Sequence, residues 1–391
     1  MVQFTSVKAK KEFSMVKRQI EGAIRSDFGK GKIILVLGAR QVGKTTLLSQ
    51  LSEGAQRPLL LNCDNADDRE ALSGGTTTKL DALAADADFL LIDEAQRVRD
   101  IGLTLKMLAD TVGKRTQVVA TGSSALELAS GVFESAAGRV FEYRLYPFSY
   151  GELAAADEGR DEQRLLENRL IWGAYPEVVT APNDARRILD AIVSGALYKD
   201  ILAFGGIRKS DILFRLVQCL ALQVGSEASY GELASMVGIN KATVESYIDL
   251  LEKTFVVFRL PSLSRNARNE IRKGRKIYFW DNGIRNAVIG NFAPLALRLD
   301  VGALWENYLV SERRKFLAYS QSPARSYFWR TTTKSEIDYV EECDGRLSAY
   351  EFKWNQRRKP IEPVAFRNAY PESTWQVVSP ENYADFLTKM S

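Results

Sequence analysis

One nine-residue stretch constrains this chain more than any other. It follows the apolar run 33–37 and consists of Gly38, Ala39, Arg40, Gln41, Val42, Gly43, Lys44, Thr45 and Thr46. A glycine-rich turn of this pattern, between a strand and a helix, directs backbone N–H groups and the positive end of the helix at the phosphates of a nucleotide. Lys44 is expected to reach the β- and γ-phosphates, and Thr45 to offer its hydroxyl to Mg²⁺. The sequence therefore predicts an α/β domain with a phosphate-binding loop.

A second apolar run, 89–92, ends in two acids, Asp93 and Glu94. A strand that is buried on both faces delivers the residues at its carboxyl end to the nucleotide crevice. Asp93 is predicted to hold Mg²⁺, directly or through water, and Glu94 to orient and activate the attacking water.

Two further residues have competing interpretations. Ser123 follows the buried run 117–121 and could sense the γ-phosphate, or it could cap the next helix. Arg139 precedes the apolar stretch 140–145 and could bring positive charge to the γ-phosphate, in the same chain or across a subunit boundary, or it could lie on the surface. The sequence leaves both alternatives open.

The absence of histidine among 391 residues excludes whole classes of site. Ser-His-Asp and Cys-His triads, histidine-ligated zinc and nucleases with a histidine base all require that residue. Catalysis must then rest on carboxylates, lysine, arginine, hydroxyls and hard ions such as Mg²⁺. Three widely spaced cysteines favour a reducing cytoplasm, and we expect neither a signal peptide nor a membrane span.

The middle of the chain predicts helices and then a winged helix-turn-helix. Apolar residues at positions 244, 247, 248 and 251 fall on one face of its second helix. The outward face of that helix carries Lys241 but also Glu245 and Asp249, which are repelled by DNA phosphates. A structural or domain-docking role therefore competes with DNA binding.

A basic loop follows the winged helix. Its six cations are Arg265, Arg268, Arg272, Lys273, Arg275 and Lys276, with Glu270 as the only acid among them. Such a loop could grip phosphates, but a run of charge is also typical of a solvated surface.

These motifs together resemble a family of prokaryotic AAA-type ATPases. The resemblance rests on the loop at 38–46 and the stretches 91–96, 121–124 and 145–153, and it continues at 173–177, 198–201 and 278–283. It implies ATP as the nucleotide and a five-stranded parallel sheet with the strand 117–121 between those of the loop and of Asp93. It also implies a C-terminal domain similar to restriction-endonuclease-like nucleases.

Near the C-terminus, Asp344-Gly345 between two alternating runs predicts a hairpin with a two-residue loop. In that register Asp338 lies opposite Glu351. Two opposed carboxylates destabilise a hairpin unless a cation lies between them, which is the geometry of a Mg²⁺ site. Lys353 lies beside this pair, where it could stabilise a pentavalent phosphate or position water.

Asp338 followed by Glu351 and Lys353 resembles the PD-(D/E)xK nuclease motif, and Glu306 matches an additional acid that many such nucleases use. The resemblance implies catalytic roles for Asp338, Glu351 and Lys353, with a metal held by Glu306, Asp338 and Glu351. The alternative is a cross-strand salt bridge between Glu336 and Lys353 on an exposed face. Similar folds are also kept only to bind DNA or protein.

The sequence thus predicts four regions in an α/β chain. They are an AAA-type P-loop NTPase domain at 1–150, a helical lid at 151–209, a winged helix with a basic loop at 210–275, and a nuclease-like α/β domain at 276–391. The predicted function is Mg²⁺-dependent ATP binding and hydrolysis coupled to action on nucleic acid, with DNA favoured and a homo-oligomer or protein partner possible. The alternative is an ATP-dependent switch or DNA-binding module whose nuclease-like domain is inert.

Overall fold

The computed structural model describes residues 16–122, 136, 138–156, 162–195, 210–264, 274–331, 335–355 and 360–390. Two sequence predictions fall outside these ranges. They concern Ser123 and most of the basic loop, namely Arg265, Arg268, Arg272 and Lys273.

A parallel five-stranded sheet forms the core of the first domain. Its strands are β1 (Ile33–Gly38), β2 (Pro58–Asn62), β3 (Phe89–Asp93), β4 (Gln117–Gly122) and β5 (Val140–Leu145). Their order across the sheet is β2-β3-β4-β1-β5, and every pair is parallel. The central strands β1 and β4 are buried throughout, as expected where helices cover both faces. The predicted position of β4, between β1 and β3, is confirmed.

Short helices precede or connect these strands. They are α1 (Ile20–Ser26), α2 (Lys44–Leu51), α3 (Ala66–Leu72), α4 (Thr77–Leu83) and α5 (Ile101–Thr111). Helix α2 begins at Lys44, directly after the phosphate-binding loop. Its amino end therefore lies at the carboxyl edge of the sheet, where doubly wound α/β folds bind ligands.

The next region is helical, as predicted. It contains α6 (Tyr150–Ala156), α7 (Leu166–Trp172), α8 (Pro176–Thr180) and α9 (Ala185–Val193). Helix α9 buries Ile188, Leu189 and Ile192 along one face, which is the i, i+1, i+4 pattern of an amphipathic helix.

Three helices and a two-stranded antiparallel sheet follow. They are α10 (Ser210–Leu222), α11 (Tyr230–Val237), α12 (Lys241–Lys253), β6 (Val257–Pro261) and β7 (Arg275–Phe279). The predicted apolar face of α12 is confirmed, because Val244, Ile248 and Leu251 are buried. The sequence placed β7 at the start of the last domain, whereas β7 pairs with β6. This pairing attaches the strand to the preceding helices.

The C-terminal part contains a mixed four-stranded sheet. Its elements are α13 (Asn282–Ile289), α14 (Val301–Tyr319), β8 (Arg325–Arg330), β9 (Glu336–Cys343), β10 (Arg346–Phe352), α15 (Val364–Ala369), β11 (Thr374–Val378) and α16 (Tyr383–Thr388), and the sheet order is β11-β10-β9-β8. The predicted hairpin register is confirmed from the Cys343/Arg346 pair to the Tyr339/Tyr350 pair. Asp344 and Gly345 both have positive φ, as a tight two-residue hairpin loop requires.

Helix α14 lies at the centre of the molecule. Trp305 and Leu309 on this helix are fully buried, and they belong to the same apolar cluster as the strands of the parallel sheet. Within the described ranges, none of the helices combines the length and the apolar character that crossing a bilayer demands.

Candidate functional site

The phosphate-binding loop has a tight backbone. Gly38 ends β1 so close to β5 that a Cβ atom there would lie 2.2 Å from the carbonyl oxygen of Leu145. Gly43 has φ +94°, in the left-handed region that favours glycine. The Lys44 ammonium donates to the carbonyl oxygens of Gly38 at 3.2 Å and Ala39 at 2.8 Å. The ammonium group of Lys44 therefore lies against the loop at which it is predicted to bind the phosphates.

The carboxyl ends of β3 and β4 meet this loop at Asp93. The Thr45 hydroxyl donates to Oδ2 of Asp93 at 2.6 Å, and the Thr121 hydroxyl donates to Oδ1. Asp93 is only 3% exposed, so these hydrogen bonds fix its orientation. The structure thus brings together Thr45 and Asp93, the two residues predicted to hold Mg²⁺ in this domain.

Glu94 follows in the left-handed backbone conformation, with φ +52°. Its amide donates to Oδ1 of Asp93 at 3.1 Å, and its carboxylate accepts a hydrogen bond from the Gln96 side chain. An ordinary residue with positive φ is strained, and such strain is often found where a side chain must be aimed at a site. Glu94 therefore lies beside Asp93 in a constrained orientation.

Thr121 and Gln96 also belong to this site, and neither was predicted from the sequence. The predicted polar residue was Ser123, beyond β4, whereas the hydroxyl that contacts Asp93 comes from within the strand. Thr121 stood in the sequence as the last residue of an apolar run, and a polar residue in that position was the signal available. Gln96 carried no comparable signal, because its role depends on the turn that follows β3.

The structure contradicts a role for Arg139 at the phosphates of its own chain. Arg139 directly precedes β5, whose first residue pairs with Ile33, the first residue of β1. The phosphate-binding loop follows the opposite end of β1. Arg139 and the loop therefore lie at opposite ends of the strands, roughly 15–20 Å apart at 3.3 Å per residue. Arg139 instead pairs with Asp110 at 2.5 Å. A role across a subunit boundary stays a prediction.

Arg18 is a further residue that the sequence did not single out. It is 4% exposed, and its guanidinium donates to the carbonyl oxygens of Val42 at 2.8 Å and Tyr146 at 2.6 Å. It also forms a buried ion pair with Glu152 at 2.9 Å and donates to the Tyr319 hydroxyl at 3.2 Å. Arg18 thus connects the phosphate-binding loop to the last residue of α14.

A second polar cluster lies where β9 and β10 run side by side. The backbone amide of Phe352 donates to Asp338 at 2.8 Å, and Lys353 pairs with Glu351 at 2.5 Å. Burial raises the pKa of Asp338, and it also raises the pKa of Glu351, to which the charge of Asp338 adds. The three motif residues Asp338, Glu351 and Lys353 are therefore close together.

Lys276 completes this cluster. Its ammonium, 2% exposed, lies 2.9 Å from Glu306 and 2.6 Å from Glu336. The Tyr278 hydroxyl also donates to Glu306, at 2.6 Å. The interpretation of Lys276 as part of an exposed basic loop is wrong, because β7 carries it into the interior. The alternative bridge between Glu336 and Lys353 is not formed, since each side chain has another partner.

The predicted metal ligands Glu306, Asp338 and Glu351 contribute to this cluster from α14, β9 and β10. Within the part of the chain that the structure describes, however, no three carboxylate or cysteine side chains form a group that could hold a metal ion. Lys276 instead supplies a positive charge to Glu306 and Glu336. An ammonium group can offset carboxylate charge as a metal does, but it cannot act as a Lewis acid.

The pKa of Glu306 yields a testable pH dependence. Burial raises this pKa from the ordinary value of 4.5 to about 7, although Lys276 opposes the increase. Between these two values the folded chain holds a proton that the unfolded chain has released, so the free energy of unfolding falls as pH rises. Glu306→Gln stays neutral and is expected to remove this part of the fall.

Urea unfolding at a series of pH values between the two pKa values measures this effect. The matched control is Glu53→Gln, because Glu53 is exposed beyond α2 and its replacement should leave the wild-type slope unchanged. Equal slopes for wild type and Glu306→Gln would contradict the raised pKa.

Comparison with known protein families supports the nucleotide site formed by the phosphate-binding loop and Asp93. Residues 30–154 match the AAA domain family. Residues 163–295 and 301–385 match two families described as domains of unknown function, DUF8612 and DUF4143. The match over residues 30–154 supports a P-loop ATPase domain in this part of the chain.

Two relatives and one solved structure are also similar to this chain. An uncharacterized protein of Mycobacterium tuberculosis is 27% identical over 343 residues, which cover 86% of this chain and 74% of the relative. An uncharacterized protein of Methanocaldococcus jannaschii is 26% identical over 350 residues, covering 79% and 72%. The solved Walker-type ATPase of Pyrococcus abyssi aligns with a TM-score of 0.48 and 14% identity, covering 70% of this chain and 96% of that one.

Proposed function

We propose that this protein hydrolyses ATP in its P-loop domain and uses the reaction to change the arrangement of its C-terminal domain. The observation that carries the first part is the meeting of three elements at Asp93, which accepts hydrogen bonds from Thr45 and Thr121. Glu94 stands next to this group with its backbone constrained. Phosphate binding, cation binding and water activation then have adjacent groups. Steady-state phosphate release from ATP with Mg²⁺ tests the proposal.

The loop and Lys44 bind the phosphates of the substrate. Lys44 currently donates to two loop carbonyl oxygens, and a phosphate oxygen at the mouth of the loop offers its ammonium a stronger, charged acceptor. Thr45 and Asp93 fit Mg²⁺ because they present two hard oxygen donors 2.6 Å apart. When bound, Mg²⁺ neutralises charge that develops on the β- and γ-phosphates.

Glu94 orients the attacking water and accepts its proton. The Gln96 side chain donates to Oε2 of Glu94, which holds the carboxylate in position. A base that acts on water must be fixed within hydrogen-bond reach of it. Gln96 is therefore a positioning residue in this proposal.

Arg18 supports the coupling to the C-terminal domain. Its guanidinium touches the loop at Val42 and the end of α14 at Tyr319, and α14 also carries Glu306 of the second cluster. A helix of 19 residues is about 28 Å long and transmits a shift at one end to the other. A change at the loop on ATP binding or hydrolysis then reaches the second cluster through Arg18 and α14.

For the second cluster we favour the version in which the nuclease-like domain does not cleave. Asp338, Glu351 and Lys353 lie close together, but Lys276 already supplies a positive charge to Glu306 and Glu336 beside them. The ammonium is buried and has two carboxylate partners, so replacing it with a divalent ion costs two close ion pairs. Metal-dependent cleavage is the competing function, and it requires that Lys276 be displaced.

The variant Lys276→Met tests whether Lys276 keeps a metal ion out of this cluster. With the ammonium removed, Glu306 and Glu336 lack their cation, so Mn²⁺ is expected to raise the unfolding temperature of the variant but not of wild type. The measurement is thermal unfolding with and without Mn²⁺. The double variant Lys276→Met/Glu306→Gln should lose the response, since it has one carboxylate fewer.

Wild-type protein is also assayed on plasmid, linear and single-stranded DNA and on RNA, with Mg²⁺ or Mn²⁺ and with or without ATP. We expect every substrate to stay intact. Cleavage that disappears in Asp338→Ala/Glu351→Ala would overturn the inert version and establish an active nuclease.

We assign a structural role to α12 in preference to DNA reading. Its outward acids have partners within the same region, since Asp249 lies 2.6 Å from Arg259 and Glu245 lies 3.9 Å from Arg275. Arg259 also pairs with Glu252 of the same helix. These contacts hold α12 against the sheet formed by β6 and β7, which favours domain docking over insertion into a DNA groove.

A further inference from the structure

We propose that a cavity between the P-loop domain and the C-terminal domain binds a phosphate group. The cavity has a volume of about 460 Å³ and lies between the edge strand β5, the end of β7, the C-terminal turns of α14 and strand β8. Its lining includes Arg144, Arg314 and Arg325, one from each of three separate elements. We call it the arginine cavity.

The charge of the arginine cavity is unbalanced. Three guanidinium groups line it, and none of its lining residues is an aspartate or a glutamate. Arg144 has an acidic neighbour, Glu142 at 2.9 Å, but the side chain of Arg144 is still 57% exposed. Arg325 lies opposite Glu342 in the pairing of β8 with β9, but among the ion pairs of the described ranges there is none of Arg314 or Arg325. Like charges gathered around one space favour an anion within it.

Arg314 is held in position for such a ligand. Its guanidinium lies over the rings of Phe258 at 4.7 Å and Trp280 at 5.6 Å, and one nitrogen donates to the carbonyl oxygen of Arg259 at 3.2 Å. A guanidinium has five N–H donors, so this single hydrogen bond leaves donors for a ligand. Because the aromatic rings already fix the side chain, little rotamer entropy is lost on binding.

A phosphate fits these observations better than a carboxylate. Planar guanidinium groups bind phosphate oxygens in pairs, and three of them match a group that presents several charged oxygens. Phosphate can come from a free nucleotide or pyrophosphate, or from a nucleic-acid backbone, and the volume admits a phosphate with an attached sugar. The nucleic-acid source rests on the proposed function, whereas the cavity itself does not require ATP hydrolysis.

The arginine cavity adjoins the P-loop domain at the carboxyl end of β5, the edge strand of the parallel sheet. Arg144 pairs with Leu37 of β1, next to Gly38, but none of the residues that line the cavity belongs to the loop at 38–46. Tyr146 joins the two regions, because it lines the cavity and its carbonyl oxygen accepts a hydrogen bond from Arg18. A phosphate in the cavity therefore contacts the same connection that we assign to coupling.

The test uses the full chain and two probes. A fluorescein-labelled single-stranded oligodeoxynucleotide reports the backbone source by anisotropy, and inorganic pyrophosphate reports the free source by calorimetry. Pyrophosphate is titrated into Lys44→Ala, so that the P-loop does not contribute. The test variant is Arg144→Gln/Arg325→Gln, whose changed side chains are exposed. Arg115→Gln/Arg187→Gln removes two other exposed arginines and serves as the matched control.

We expect the test variant to weaken binding of one or both probes at least about tenfold, since each charge-assisted hydrogen bond to phosphate is lost. The salt dependence of oligonucleotide binding should also become shallower by about one unit per arginine. Weakened oligonucleotide binding identifies the backbone as the source, and weakened pyrophosphate binding alone identifies a free phosphate compound.

Two results would overturn the proposal. One is that the oligonucleotide does not bind wild type and pyrophosphate does not bind Lys44→Ala, and the other is that the test variant binds both probes as tightly as the matched control in the same background. ATP turnover, measured with the arginine variants that retain Lys44, keeps this result apart from the proposed function. Loss of phosphate binding with unchanged ATP turnover supports the cavity, whereas absent ATP turnover with intact phosphate binding contradicts only the ATPase.

Discussion

Glu94→Gln is expected to lower the rate of ATP hydrolysis by about 10²- to 10⁴-fold, the usual contribution of a positioned general base. Glutamine keeps the size of the side chain and can still accept the hydrogen bond from Gln96, but it cannot take a proton from water. ATP binding should persist, because the phosphates are bound by the loop and Lys44. Steady-state phosphate release and binding of a fluorescent ATP analogue measure the two properties.

Two variants make this result specific. Lys44→Ala should lose ATP binding as well as hydrolysis, because it removes the ammonium that lies against the loop. Glu53→Gln changes an exposed glutamate beyond α2 and should leave both properties at the wild-type level. If Glu94→Gln hydrolysed ATP as fast as wild type, the base would have to be another residue and the proposed mechanism would be wrong.

Arg313→Met is expected to produce the largest loss of stability, about 3–5 kcal/mol of unfolding free energy. Arg313 on α14 pairs with Glu341 on β9, at 2.5 Å, and the two side chains are 1% and 2% exposed. The same guanidinium donates to the carbonyl oxygens of Phe386 and Lys389 near the C-terminus. Its removal takes this donor away from the buried Glu341 carboxylate and from two carbonyl oxygens at once.

Urea unfolding followed by tryptophan fluorescence measures this loss. Arg187→Met is the matched control, because Arg187 is 83% exposed in its side chain and its pair with Asp184 spans 3.4 Å. Such surface pairs contribute little. Arg313→Met/Glu341→Met should recover part of the lost unfolding free energy, because the double variant no longer buries the Glu341 carboxylate without the charge of Arg313. A single variant as stable as the control would show that this ion pair does not hold α14 against β9.

The features that could be predicted from the sequence involve residues that are close together in the chain. The loop at 38–46, the acids that end β3 and the hairpin at Asp344-Gly345 were all predicted from residues that are neighbours in the chain. Their chemistry is local, because a tight turn needs glycine and a strand carries its last residue to the sheet edge. The pairing of β9 with β10 followed from the turn in the same way, since loop length sets register.

The end of the sheet at which a residue lies, and how deeply its side chain is buried, could not be predicted in this way. Arg139 was considered for the phosphates because it is a cation near a strand, but the parallel course of β5 puts it at the opposite edge of the sheet. Lys276 belonged to a run of basic residues, but its pairing within β7 carries it to 2% exposure between two acids. Periodicity shows which faces of a strand differ, but not which neighbours cover them.

The sequence by itself predicted the P-loop domain, the residues proposed to bind phosphate and cation there, and the hairpin register of β9 and β10, which is confirmed as far as the Tyr339/Tyr350 pair. Only the tertiary structure decided that Arg18 joins the loop to Tyr319, that Lys276 supplies a cation to Glu306, and that three arginines surround one cavity. Each of these relations joins side chains from separate elements. Long-range contacts of this kind depend on how all the elements pack, so no short stretch of sequence encodes them.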